Sequence, residues 1–297
     1  MNTHFSNCPR TQIDKALFKV LFSKALSVLL FSVLAASVIG CGSGLVGSGP
    51  TITQGLSIQG VQRIIVHDSL NVHISYSEQE KADLSGHTNL LPYFKYEQEG
   101  DTLNLRLHHG AQILEGDLTV VLALPRLREL RVVDGSRVHL KRLETRGDLR
   151  LDFSGMSDIR IDLHSDAQVD IDINGSSRVQ GQLRANVIRW KLTGNSRALA
   201  RVHTNQNHLD ASGSSWVEFV GESNLFQVGL SGGSKGFFSL LKAQEIDAHL
   251  SGASQGIVSH DGSLRALLEG ASKLFCRGQP HIEKLDTTGG SVLEPIQ

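Results

Sequence analysis

The chain has 297 residues, of which 40% are hydrophobic and only 5% aromatic, and it contains 30 glycines. This length fits one large domain or two ordinary ones, and the composition favours many short strands and tight turns over a bulky globular core. The formal net charge is −1 and becomes −4 without residues 1–40, with 25 basic against 29 acidic residues. That balance gives no indication of nucleic-acid binding, for which a basic stripe is expected.

The N-terminus has the pattern of an export signal. Residues 1–24 are basic, and residues 25–39 form an apolar run that is too short for a comfortable membrane span. Val38-Ile39-Gly40-Cys41 follows and resembles a bacterial lipobox, in which the Cys41 thiol receives a diacylglyceryl group before cleavage. We therefore predict a lipoprotein signal peptide over residues 1–40 and a membrane anchor on acylated Cys41. The alternative is an ordinary signal peptide with a chance cysteine.

The segment after the lipobox predicts a flexible tether over residues 41–56, because GSGLVGSGP is rich in glycine and serine. The residue after the lipobox cysteine is Gly42 and not aspartate. The resemblance to bacterial lipoproteins then implies delivery to the outer membrane. Of the three cysteines, Cys8 lies in the signal peptide and Cys41 is the lipidation site, so Cys276 has no disulfide partner.

Residues 57–125 alternate apolar and polar side chains less regularly than the rest, with an irregular link around residues 89–96. We interpret them as the opening rungs of the same domain. A Gly-x-Ser corner recurs eight times after a variant first copy, Asp134-Gly135-Ser136, and the nine corner serines are spaced 18 to 21 residues apart. These serines are Ser136, Ser157, Ser177, Ser196, Ser215, Ser234, Ser254, Ser272 and Ser291.

Residues four and six before each serine are mostly apolar, whereas the residue between them is mostly polar. This period of two is typical of a strand with one buried face. A unit of about 20 residues cannot bury its own apolar face, so consecutive units must stack. We therefore predict an all-β, right-handed parallel β-helix with rungs of 19–20 residues, forming a single domain over residues 57–297. Cys276 falls in an inward column and is predicted to be a small buried hydrophobe.

The last rung shows no capping helix in the sequence, and an uncovered sheet end invites association. Pro295 could blunt that edge, or another copy of the chain or a different partner could cover it.

The outward columns contain a cluster of candidate catalytic residues. Asp152 and Asp172 lie one rung apart in one column, near Lys191 and Asp210. Such a cluster could hold Ca²⁺ or act as an acid–base pair on polysaccharides, but alternating charges in the neighbouring column favour cross-rung ion pairs on a solvated face. We expect no cofactor and no metal site, because the sequence shows neither a ligand-like histidine pair nor a phosphate loop nor a nucleophile elbow.

A column of small polar residues accompanies the corner glycines and is interpreted as a hydrogen-bonded ladder along the stack. The alternative is a hydroxyl surface for glycans or ice. Its members are Ser154, Asn174, Thr193, Ser212, Ser231 and Ser251.

Short motifs ahead of the repeats add a family resemblance. Ile64-Ile65-Val66, Gly86-His87-Thr88-Asn89-Leu90-Leu91 and Gly100-Asp101-Thr102-Leu103-Asn104-Leu105 precede Leu124-Pro125-Arg126-Leu127 and the Gly-x-Ser rungs. This order resembles the auto-transporter adhesin head domain, or GIN domain, across residues 57–290. The resemblance implies a right-handed β-helix in the bacterial envelope, often on a lipoprotein, and carries no catalytic residues.

Together these patterns predict a non-enzymatic outer-membrane lipoprotein whose rigid lateral surface binds glycans or envelope polymers. Two alternatives stay open. One is a polysaccharide-active enzyme using Asp152, Asp172 and Lys191, and the other is an assembly module that stacks end to end.

Overall fold

The structure, a computed structural model, describes residues 44–108 and 110–296. Within them the backbone forms 23 β-strands and one 3-10 helix, Leu91–Tyr93. From Leu45 onward the chain is one compact unit. The strands of the repeats pair in parallel with the equivalent strand one rung along, so the predicted parallel β-helix is confirmed. The predicted signal peptide and Cys41 lie outside the described residues.

Nine short strands precede the regular repeats. They are β1 (Leu45–Val46), β2 (Thr51–Gly55), β3 (Arg63–Val66), β4 (Asn71–Tyr76), β5 (Lys81–His87), β6 (Phe94–Glu99), β7 (Thr102–Leu107), β8 (Ile113–Glu115) and β9 (Leu118–Leu124).

In the repeats, sheet A comprises the strand segments that lead into each corner. They are β10 (Glu129–Val132), β12 (Leu149–Phe153), β14 (Gln168–Ile173), the second halves of β15 (Arg178–Leu192), β16 (Arg197–Ala211), β17 (Trp216–Leu230) and β18 (Lys235–Leu250), then β20 (Ser263–Leu268) and β22 (His281–Thr287). Sheet B comprises the segments that leave each corner. They are β11 (Arg137–Thr145), β13 (Asp158–Ser165), the first halves of β15 to β18, β19 (Gln255–Ser259), β21 (Lys273–Arg277) and β23 (Val292–Ile296).

The corners have the conformation that their composition predicts. The corner glycine is left-handed in all eight Gly-x-Ser copies, with φ between 68° and 78°, which suits a residue without Cβ. In the variant first copy Asp134 takes that position with φ of 60°. All nine corner serines point inward and are buried. The Ser196 hydroxyl, with its single O–H, lies 2.7 Å from the Thr193 carbonyl oxygen and 3.1 Å from that of Ile173 in the rung before, so either carbonyl can accept its hydrogen bond. The serines therefore tie neighbouring rungs together.

The core lies between the sheets and follows the predicted inward columns. Its largest side chains cluster in the middle rungs, where the Trp190 and Phe219 ring centroids are 4.9 Å apart and those of Phe226 and Phe238 are 4.8 Å apart. Asn207 is fully buried among them and accepts a hydrogen bond from the Trp190 indole nitrogen at 3.1 Å. This polar residue in an apolar column satisfies the buried indole N–H.

The opening rungs differ from the prediction in their order. β3 and β4 each lie between two parallel strands. β3 pairs with both β7 and β10, and β4 pairs with both β9 and β11. The outer edges of that stack are then covered by antiparallel strands, β6 on β7 and β5 on β9. The irregular link predicted near residues 89–96 contains the 3-10 helix that leads into β6.

The prediction of a flexible tether over residues 41–56 does not hold for residues 45–55. β2 pairs antiparallel with β5, and β1 pairs with β8. The reason is that β5 would otherwise expose an unpaired edge, and the backbone of β2 pairs with that edge. The side chains of β2 stay exposed.

Candidate functional site

The structure places the acidic residues considered for catalysis side by side on adjacent rungs. Asp152 pairs in register with Asp172, and Asp172 with Lys191, on the outer side of sheet A. Arg150 lies against both carboxylates, 3.1 Å from Asp152 and 3.3 Å from Asp172. Burial raises the pKa of the Asp172 carboxyl, and the neighbouring Asp152 charge raises it further, against the opposing effect of Arg150.

This arrangement supports packing between rungs better than catalysis. The guanidinium of Arg150 forms ion pairs with both carboxylates. Arg131 adds a further contact to Asp152 at 3.8 Å. Along sheet A the pattern continues with Arg189 and Asp170 at 3.9 Å. The predicted cross-rung ion pairs are therefore present.

Small polar side chains also form ladders between rungs. In the predicted column, the Thr193 hydroxyl donates to the Asn174 side chain. A second ladder, which the sequence analysis missed, runs along another bend: the Asn205 amide donates to Asn186 at 2.7 Å and the Asn224 amide to Asn205 at 3.1 Å. In the predicted column, the bond from Thr193 to Asn174 is the one hydrogen bond between side chains among the described residues, and the Ser212 hydroxyl donates instead to the Leu192 carbonyl at 3.5 Å. The asparagine ladder is the more continuous of the two.

Cys276 lies where its column predicts, with 4% of its surface exposed. Burial raises the pKa of its thiol, and the nearby Asp261 charge acts in the same direction. A thiol held in its neutral form is a poor nucleophile, so Cys276 is a packing residue.

Sheet B presents a different outer surface. We define the arginine face as five exposed guanidinium side chains on β11, β13, β15 and β16, namely Arg137, Arg160, Arg178, Arg197 and Arg201. Within residues 44–108 and 110–296, none of the five lies within 4.0 Å of a carboxylate. The arginines of sheet A, by contrast, are paired. The two faces of one solenoid thus differ in how their positive charge is neutralised.

Two shallow hollows lie along the arginine face. One of about 540 Å³ is lined by His139, Arg160 and Arg201 among others, and a second of about 290 Å³ by His73, Arg137 and Arg160. The acidic residues that line them are Asp162 and Asp158. The Asp162 carboxylate already accepts a hydrogen bond from Gln182 at 2.9 Å. Arginines therefore outnumber carboxylates in both hollows.

The pKa of His139 reflects the positive groups around it on the arginine face. Its ring lies edge-on to His73, with centroids 5.8 Å apart. Burial lowers the pKa of His139, and His73, Arg160 and Lys141 lower it further. Positive neighbours that oppose protonation of an imidazole would stabilise an anion at the same place.

The arginine face was not predicted, although the sequence contained its signal. Arg137, Arg178 and Arg197 all stand one residue after the corner serine. Extending the column alignment past the serine would have found them. Their lack of carboxylate partners, however, is visible only in the structure.

Among the described residues, no group of three or more histidine, cysteine, aspartate or glutamate side chains could hold a metal ion. That same portion contains no helix that is both long and apolar enough to cross a membrane.

Comparison with known sequences identifies a family. Its profile, described as "Putative auto-transporter adhesin, head GIN domain", matches residues 61–182 and again residues 169–280. No curated protein matches the chain.

Solved structures share the fold at low sequence identity. A putative adhesin from Parabacteroides merdae is 13% identical with a TM-score of 0.63, covering 86% of this chain and 99% of its own. A putative adhesin from Parabacteroides distasonis is 14% identical with a TM-score of 0.64, covering 86% of this chain and 100% of its own. A putative lipid binding protein from Parabacteroides distasonis is 15% identical with a TM-score of 0.55, over the same shares.

Proposed function

Because the chain belongs to the family described as the putative auto-transporter adhesin, head GIN domain, we propose that it is a non-enzymatic, lipid-anchored envelope protein that binds acidic glycans or envelope polymers on its arginine face. Acylated Cys41 attaches it to the outer membrane. The adhesin description of the family supports an envelope role, and the specific ligand class comes from the charges on sheet B.

The observation that carries the ligand class is the contrast between the two sheets. Arg150 on sheet A is held between two carboxylates, whereas Arg178 and Arg197 on sheet B have no acidic partner within 4.0 Å among the described residues. Guanidinium groups without partners favour carboxylate, phosphate or sulfate groups of a ligand.

The geometry favours a polymer over a small anion. Arg178 and Arg197 pair in register on adjacent strands, and adjacent strands are about 4.8 Å apart. Arg137 lies two rungs before Arg178 in the same column. Asp158 stands between Arg137 and Arg178 in this column, so the row along the solenoid axis contains three arginines and one carboxylate. A chain with repeated acidic groups can contact several of the arginines at once.

Binding of the full chain, purified in detergent, to an array of acidic and neutral polysaccharides tests this function. We expect retention on polymers bearing carboxylate or phosphate groups, weakening as salt screens the charges, and little retention on neutral polymers of the same length. Absence of binding to every polymer would exclude the adhesion role. Preference for neutral polymers would keep that role but remove the arginine face from it.

The anchor has its own test. Metabolic labelling with a fatty acid should mark the wild-type chain and leave the Cys41→Ser variant unlabelled, with the variant recovered in the soluble fraction. Equal labelling of both chains would contradict acylation at Cys41.

A polysaccharide-active enzyme is the rival function, and the raised pKa of Asp172 beside Asp152 favours it. Release of reducing or unsaturated ends from an acidic polysaccharide, lost in Asp172→Ala but kept in Asp210→Ala, would establish this rival. We expect no release from either the wild type or the variants, because Arg150 forms ion pairs with both carboxylates.

A further inference from the structure

The strand β22 exposes side chains that belong to the core. Ile282 and Leu285 are 46% and 41% exposed. In register one rung earlier, Leu264 and Ala266 are 0% and 3% exposed. The inward columns that are buried through the solenoid thus open to solvent at β22, and within the described residues β20 is the only strand that pairs with it.

The opposite end of the solenoid is protected. There the outermost parallel strands β7 and β9 carry antiparallel strands β6 and β5 on their outer edges. Antiparallel covers of this kind prevent the addition of a further strand in register with the rungs. The edge of β22 has no such cover among residues 44–108 and 110–296, so the two ends of the molecule are not equivalent.

The sequence of β22 is self-complementary when two copies run antiparallel. Pairing Glu283 with Lys284 of a second copy aligns His281 with Asp286 and Ile282 with Leu285 of that copy. Each acidic residue then faces a basic residue or a histidine, and each apolar residue faces an apolar one. Opposite charges directly across a strand pair are favourable, whereas like charges are unfavourable.

A bulge makes this pairing consistent with the faces of the strand. The register moves from Leu264–Ile282 to Arg265–Lys284, so Glu283 is an extra residue in β22. Ile282 and Leu285 can therefore both continue inward columns with two charged residues between them. In the symmetric pair the apolar contacts fall on the core side and the charged contacts on the outer side.

From these observations we propose that the edge of β22 binds a second copy of this chain, forming a two-fold symmetric, tail-to-tail dimer by antiparallel β22 pairing. Such an interface uses the same surface on both copies and closes at two. A filament that grows end to end is not expected, because the opposite end is covered. The dimer would also join two arginine faces into one bivalent particle.

The association should depend on concentration, because one strand pair contributes only part of the roughly 1,000 Å² of buried surface that a stable interface needs. Apolar contact between the two open rung ends, including Leu285, must contribute the remainder. Charge reversal at the centre of the pairing is therefore a sensitive perturbation.

Sedimentation equilibrium in density-matched detergent tests the proposal with the full chain, the single variants Glu283→Lys and Lys284→Glu, and the double variant with both changes. We expect a monomer–dimer equilibrium for the wild type. Each single variant should raise the dissociation constant at least about tenfold, since two like-charged pairs replace two ion pairs. The double variant restores opposite charges between the copies and should therefore dimerise more tightly than either single variant. Full recovery is not expected, because within one copy it places like charges where Glu283 meets Arg265 at 3.1 Å and Lys284 meets Asp286 at 2.9 Å.

Two controls distinguish a loss of β22 pairing from misfolding of the variant and from an effect of the lipid anchor. Glu222→Lys, which makes the same change of charge in the middle rungs and breaks the contact with His203 at 3.6 Å, should leave the dimer unchanged. Cys41→Ser should dimerise like the wild type. Circular dichroism and Tm establish that each variant is folded.

A wild-type chain that stays monomeric at hundreds of micromolar would overturn the proposal. So would a folded double variant that dimerises no more tightly than the single variants, or single variants that dimerise as well as the wild type. None of these results bears on polysaccharide binding, which is measured separately.

Discussion

The carbonyl oxygen of Gly213 lies 2.9 Å from the position that a Cβ on Gly232 would occupy, one rung along the solenoid. This close approach, together with a φ of +68° at Gly232, is why the corner repeats as glycine and not as alanine. The neighbouring Gly233 has no such constraint, because an added Cβ there would come no nearer than 3.6 Å to the same oxygen.

Gly232→Ala should therefore destabilise the protein, and Gly233→Ala should not. The left-handed conformation alone costs a residue with a Cβ about 1–2 kcal/mol, and the contact with the Gly213 carbonyl adds to it. Gly233→Ala should change stability by less than about 1 kcal/mol. Urea unfolding of both variants provides the comparison, and equal stabilities would refute this account of the corner.

The corner serines allow a second matched comparison. The Ser196 hydroxyl has two carbonyl oxygens within hydrogen-bond distance of its single O–H, whereas the Ser234 hydroxyl is buried without a hydrogen-bond partner among the described residues. Ser196→Ala should cost about 1 kcal/mol and Ser234→Ala close to nothing. If both cost the same, hydrogen bonding between rungs is not what the serine column contributes.

Cys276 should resist thiol reagents until the protein unfolds. Burial both blocks access to the thiol and raises its pKa, so little thiolate forms even in mildly alkaline buffer. Maleimide labelling followed by peptide mapping should show Cys276 unmodified in native protein and modified in denaturant. Rapid labelling of the native chain would show that this rung opens readily.

Asp172 should make stability depend on pH. Because its folded-state pKa is raised, the ionised carboxyl is disfavoured in the fold, and the stability gained from the protonated form is lost as pH rises through the folded-state pKa. Asp172→Asn should therefore raise Tm at pH 7 relative to the wild type, with the difference shrinking towards pH 4. Asp210→Asn, two rungs further along the same column, is the control. A difference that grows on acidification would contradict the cause assigned to the shift.

His139 should report an anion bound on the arginine face. Positive neighbours contribute to its lowered pKa, so a bound polyanion should raise that pKa towards its ordinary value and favour uptake of a proton. NMR titration of the His139 ring with and without an acidic polysaccharide measures this shift. Affinity should correspondingly rise as pH falls. An unchanged pKa at saturating ligand would place the ligand elsewhere.

The regular part of the fold could be predicted because its spacing has a single physical solution. The recurrence of Ser157, Ser177 and Ser196, with apolar residues at even offsets, requires stacked rungs. The order of the opening rungs could not be predicted in the same way. Parallel and antiparallel strands share the same alternation of side chains, so residues 81–107 gave no sign that β5 and β6 reverse direction.

The candidate site was predictable only in part. The outward columns of sheet A were correctly assigned, including the register of Asp152 with Asp172. Spacing alone does not determine which charges pair. Arg137 and Arg178 flank Asp158 in register and yet lie beyond 4.0 Å of its carboxylate, whereas Arg150 reaches two carboxylates. That difference depends on side-chain direction, which a column alignment does not contain.

The most direct test of the proposed function compares two triple variants with the same change in net charge. In one, three residues of the arginine face become glutamine (Arg160, Arg178 and Arg197), and in the other three arginines of sheet A do (Arg131, Arg150 and Arg189). Affinity for an acidic polysaccharide, measured by isothermal titration calorimetry at fixed salt, should fall at least about tenfold in the first variant and stay within a few-fold of the wild type in the second. Equal losses in both variants would show that only overall charge matters, and no loss in the first would contradict the arginine face as the binding surface.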